Sequence, residues 1–181
     1  MKIQDGQGSG VLAAVDLEGR IRTNAVTQPF DFHINEESGK VWSLPFENIN
    51  PTGADDYIFY IKNTGDKDIK IADVRVMADT AATQLELQWV SGTVSGGAAI
   101  TAVSRNGGSA ATPSATIESG SDLTGLTSGG TIFFIQCPTV NKEEHLSTSS
   151  NIIIPKGKAI ALQVETATAN ITGVISIVES E

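Results

Sequence analysis

Side chains able to do chemistry are few in this 181-residue chain: two histidines and one cysteine among mostly polar and apolar residues. His33 alternates with Phe32 and Ile34, so a strand over this stretch turns it away from the apolar face and toward solvent. His145 follows Lys142-Glu143-Glu144. These are metal-ligand types, but a site also needs fixed geometry, and a solvated charged loop is the expected setting. Cys137 lies in Ile132-Phe133-Phe134-Ile135-Gln136-Cys137-Pro138. A lone cysteine in such a run reads as a buried, inert thiol and leaves no intrachain disulfide.

The remaining candidate motifs fail on context. Gly6-Gln7-Gly8-Ser9-Gly10 has neither the preceding strand nor the following helix of a phosphate-binding loop, and no Lys-Ser or Lys-Thr ends it. Ser95, near Gly92 and Gly96, lacks the spacing of a nucleophile elbow. Asp66-Lys67-Asp68 offers too few oxygens for calcium and reads as a turn. Asn170-Ile171-Thr172 matches a glycosylation sequon by accident of composition. Trp42, Trp89, Tyr57 and Tyr60 all sit in strand-like patterns that favour core packing over an exposed sugar platform. The sequence therefore predicts no catalytic, cofactor-binding or metal-binding residue, and no enzyme.

The elements that would position these residues are strands. No segment sustains a 3.6-residue apolar period, whereas alternation recurs along the chain. Tyr57–Ile61 and Ile69–Met77, flanking Asn63-Thr64-Gly65-Asp66, predict a β-hairpin. Both faces of the first strand are apolar, so it should be covered on each side. The parity of the second slips between Ala72 and Asp73, the mark of a bulge or of a bend where a strand changes sheet. Strands are also expected over 41–46, 85–89, 131–136, 152–154, 160–164 and 171–177. Residues 91–130, rich in Gly, Ser, Thr and Ala, and the polar stretch 139–150 read as loops, with weak strands at 98–104 and 115–118. The pattern predicts an all-β antiparallel β-sandwich, with a jelly roll as the specific form.

The net charge of −9 argues against a nucleic-acid partner, and no apolar run is long enough for a membrane helix. The residues after Met1 lack an apolar secretory core, which points to synthesis in a reducing cytoplasm. Residues 1–28 contain no aromatic side chain and only short β-prone pieces, Val11–Val15 and Ile21–Val26. They read as an extended N-terminal arm packing on the domain or a neighbour, with residues 29–181 forming the sandwich domain.

Ile3-Gln4-Asp5-Gly6-Gln7-Gly8-Ser9-Gly10, Val15-Asp16 and Arg20–Thr27 resemble the start of virion structural proteins of tailed phages. Tyr60-Ile61-Lys62-Asn63, Asp68-Ile69-Lys70-Ile71 and Ile154-Pro155-Lys156-Gly157 extend the resemblance over most of the chain. It implies a capsid cement or decoration protein of the jelly-roll type, usually a homotrimer, bound to the major capsid protein on the outer surface of the virion. The alternative expectation is a receptor- or glycan-binding module of a tail or head fibre.

Overall fold

The computed structural model describes residues 38–165 and 169–180, with backbone alone at 147–151. His33 and the proposed arm at 1–28 lie outside the described residues. The described residues form eleven strands: β1 (Val41–Ile49), β2 (Asp56–Asn63), β3 (Ile69–Ala78), β4 (Thr83–Ser95), β5 (Ala98–Ala99), β6 (Val103–Ser104), β7 (Ala115–Ser119), β8 (Thr124–Cys137), β9 (Glu144–Ile154), β10 (Ala159–Val164) and β11 (Ile171–Glu179). They make two antiparallel sheets packed face to face as a β-sandwich, one in the order β6-β1-β11-β3-β9 and the other β5-β7-β2-β10-β4-β8.

The core between the sheets follows from the alternating patterns. Leu85 and Leu87 of β4, Ile160, Leu162 and Val164 of β10, and Ile171, Ile175 and Ile177 of β11 are all buried there, together with Cys137. A fully buried Leu or Ile contributes about 1.5–3 kcal/mol. Phe46 enters the same core with Phe59, ring centroids 5.3 Å apart. Opposite Phe46 in the ladder is Gly173, where a Cβ would stand 2.7 Å from the phenyl ring and 2.5 Å from the Arg75 carbonyl oxygen. A side chain there has no room. Pro45 is tolerated in β1 because β6 pairs only with Trp42 and Ser43, leaving the other side of the strand open at the proline.

The expected hairpin over 57–77 is not formed. β2 belongs to the six-stranded sheet and β3 to the five-stranded one, so the Asn63–Asp68 segment is a corner between sheets. Asn63 organises it: its buried amide donates to the Lys67 and Ile154 carbonyls at 2.7 and 2.8 Å and accepts from the Gly65 amide at 2.9 Å. The residues that signal a turn also serve a step across the roughly 10 Å between packed sheets. The parity slip in β3 is a bulge: Ala72 is passed over in the pairing with both β9 and β11, while the strand stays in its sheet.

Two expected loops are strands. β9 begins at Glu144, within the stretch read as a polar loop. Within 91–130, β4 continues to Ser95 and β8 starts at Thr124, so the two form a long two-stranded ribbon. The short strands β5 and β6 fall within the weak strand expected at 98–104, and β7 matches 115–118.

Candidate functional site

The far half of the β4–β8 ribbon, residues 90–95 and 124–130, lies over the outer face of its own sheet. Three register shifts between the strands, at Leu87/Gln88, Trp89/Val90 and Gly92/Ser95, bend it. Gly92 and Gly125 hold positive φ of 108° and 78°, and a Cβ on either would meet a carbonyl oxygen of the facing strand at 2.1 and 2.3 Å. Val94, Leu126 and the buried Leu123 then cover Tyr60, Ala159 and Ala161, forming a second, smaller apolar cluster on the outside of the sheet. This explains why β2 needs cover on both faces. A bulge at Ile58 (Leu162 pairs with Phe59, Gln163 with Tyr57) puts Tyr57 on the outer face with Tyr60 rather than in line with Phe59.

Beneath the ribbon runs a polar network. The Gln88 amide accepts from the Tyr57 hydroxyl at 3.0 Å and donates to Glu86 Oε2 at 2.8 Å and Gln163 Oε1 at 2.6 Å. Gln163 donates in turn to the Asp55 carbonyl at 2.6 Å, and the Thr131 hydroxyl donates to Glu86. Burial pushes the Tyr57 phenol up, and Ser128 of the ribbon hydrogen-bonds to it. Glu86 and Glu165 are in contact: the hydrogen bond from Glu165 holds the Glu86 carboxyl below its ordinary range, and the same contact pushes Glu165 above its own. A carboxylate beside a carboxylic acid is an acid–base pair by type. Here Glu86 is only 8% exposed and accepts from Thr131, Gln88 and Glu165, so the pair staples strands together. Glu86 and Gln88 alternate with Leu85, Leu87 and Trp89, the pattern of a strand with one solvent side, yet they are only 8% and 5% exposed. The signal that could have placed them is Val94 and Leu126, isolated apolar residues in a Gly-, Ser- and Thr-rich stretch.

The other sequence candidates are scattered. His145 stands on β9 opposite Arg75 of β3, its Nε2 paired with Asp73, which also binds Arg75 Nε at 2.7 Å. Glu143 lies 3.7 Å from Arg75 Nη1, and Glu144 pairs with Lys142 at 3.0 Å. No three His, Cys, Asp or Glu side chains among the described residues are grouped to hold a metal. Burial pushes the Cys137 thiol up, away from the reactive thiolate. Asp66 pairs with Lys156 across the chain. Trp42 and Tyr60 are buried, and Trp89 is half-buried against the core while it lines an open groove of about 420 Å³ with Val90, Ser91, Gly129, Ile153, Pro155 and Lys158.

The feature most unlike a self-sufficient surface is β8. It is the outermost described strand of its sheet, fourteen residues long and without a charged side chain, and it displays Phe134 at 63% exposure. Among the described residues, Val103, Val140 and Ile153 are the other exposed large apolar side chains. No family model, curated protein or solved structure matches this chain.

Proposed function

We propose that the chain is a non-enzymatic cement, or decoration, protein of a tailed-phage head. In this reading it is a homotrimer on the outer capsid surface that bridges neighbouring copies of the major capsid protein. The observation that carries the reading is the β8 edge. Monomeric β-proteins guard long edges with charge, proline or cover, because exposed N–H and C=O groups recruit other strands. β8 keeps a neutral edge and an outward Phe134, as a subunit built to be covered by another protein would. Several weak contacts of this kind in one oligomer add up by effective concentration. The strand order supports the jelly-roll form. With the short β5, β6 and β7 set aside, the sheets are β1-β11-β3-β9 and β2-β10-β4-β8, the interleaving produced by two nested Greek keys. The resemblance of the termini and the middle of the chain to virion proteins supplies the setting.

Co-sedimentation with phage heads stripped of this protein tests the proposal. Wild-type chain pellets with the heads, and Phe134→Lys, which keeps its fold because the side chain is exposed, binds about tenfold or more weakly. Equal binding by the variant, or none by the wild type, contradicts it. The glycan-binding alternative is favoured by one observation, Trp89 in its groove; a shift of tryptophan fluorescence on adding oligosaccharide supports that reading instead.

A further inference from the structure

We infer that the outward face of the β4–β8 ribbon is the surface through which copies of this chain associate. Residues 87–104 and 123–141 contain no Asp, Glu, Lys, Arg or His; the next charges along the chain are Glu86, Arg105, Asp122 and Lys142. Both strands of the folded-over ribbon fall inside these two runs. With Val94 and Leu126 turned inward, the ribbon shows solvent Ser91, Thr93, Ser95 and Thr127, all exposed, between glycines. An ordinary solvated sheet face looks different: the opposite sheet carries Lys70, Asp73, Arg75, Glu144 and His145 on β3 and β9.

Charge selects the partner. A body of net charge −9 repels its own copies wherever acidic faces meet within a Debye length, roughly 8 Å at physiological salt. The ribbon's own strands give an identical chain a face with no like charges to oppose, and depletion of charge marks the core of protein interfaces. Its small side chains allow close approach. Its backbone is already held by the β4–β8 ladder, so little ordering entropy is lost on docking.

The inference rests on reading the chain as an assembly subunit, but its test needs no particle. Sedimentation velocity over a concentration series is run on the full-length wild type and on Thr127→Glu, Thr93→Glu and, away from the ribbon, Thr139→Glu, with circular dichroism confirming the fold of each. The wild type self-associates. Thr127→Glu and Thr93→Glu, on different strands, each raise the dissociation constant about tenfold or more, and high salt reverses part of the loss. Thr139→Glu stays within about twofold of wild type, because it adds the same charge outside the interface. A wild type that is monomeric throughout, or a Thr139→Glu as damaging as Thr127→Glu, overturns the inference. A chain that associates through the ribbon yet ignores phage heads removes the capsid reading alone; a monomer that decorates heads removes this one alone.

Discussion

Leu87 and Leu162 face each other across the β4–β10 ladder with no exposed surface, whereas His145 pairs with Asp73 on an open sheet face. Deleting three carbons from a fixed core leaves a cavity, so Leu87→Ala and Leu162→Ala should each cost about 2–5 kcal/mol. His145→Ala should stay within about 1 kcal/mol, since the ring stands on the open face of the sheet and Asp73 keeps its bond from Arg75. Thermal melts of the three variants check this ordering. The Glu86–Glu165 pair adds a pH dependence with two signs. Glu165 is raised, so its contribution is present at acid pH and is lost as pH rises through its folded value. Glu86 is lowered, so its contribution is present above the ordinary carboxylate range and is lost as pH falls through its folded value. Melting temperature should therefore peak in the weakly acidic range. Glu165→Gln keeps an amide donor toward Glu86 but cannot ionise, and should remove the decline on the neutral side. An unchanged profile in that variant would show the Glu86–Glu165 contact to be irrelevant to the pH dependence of stability.

At the scale of elements, what was legible in the sequence was whatever a single strand reports about itself. Leu85–Trp89, Ile160–Val164 and Ile171–Ile177 alternate because one face meets the core, and the slip at Ala72 is visible because a bulge breaks parity on its own strand. Pairing partners were not legible. Asn63-Thr64-Gly65-Asp66 satisfies the backbone needs of a hairpin and of an inter-sheet corner alike, and the distant Ser114, Ile154 and Lys158 carbonyls that accept from it distinguish them. The ribbon stayed hidden because Ser, Thr and Gly are loop formers by composition. Its strands are held by the β4–β8 ladder and by glycines that let them bend, rather than by propensity. Gly125→Ala tests this. A Cβ at positive φ and 2.3 Å from the Thr93 carbonyl oxygen should cost about 1–3 kcal/mol and expose the Tyr60 cluster. Faster hydrogen exchange at Tyr60 and Leu123, with the Leu87 core still protected, is the expected result. Uniform loss of protection would mean that the ribbon is part of the main cooperative unit.

Taken whole, the described residues leave outward two neutral surfaces, the β8 edge and the ribbon face. These two surfaces present shape and main-chain hydrogen-bonding groups more than charge, which suits contact with another protein. Among the candidate residues, His145 stands on β9 and Cys137 is buried in the core, while His33 lies outside the described residues. The surfaces were not legible, because an uncharged run is read as loop until the fold brings two such runs side by side. The most direct measurement is cryo-electron microscopy of the particle that contains this chain. The account predicts sandwich-shaped density on the outside of the head, in oligomers spanning adjacent capsid subunits, with the β8 edge toward the shell. Density for this chain on the tail or a fibre, or none outside the shell, would contradict it.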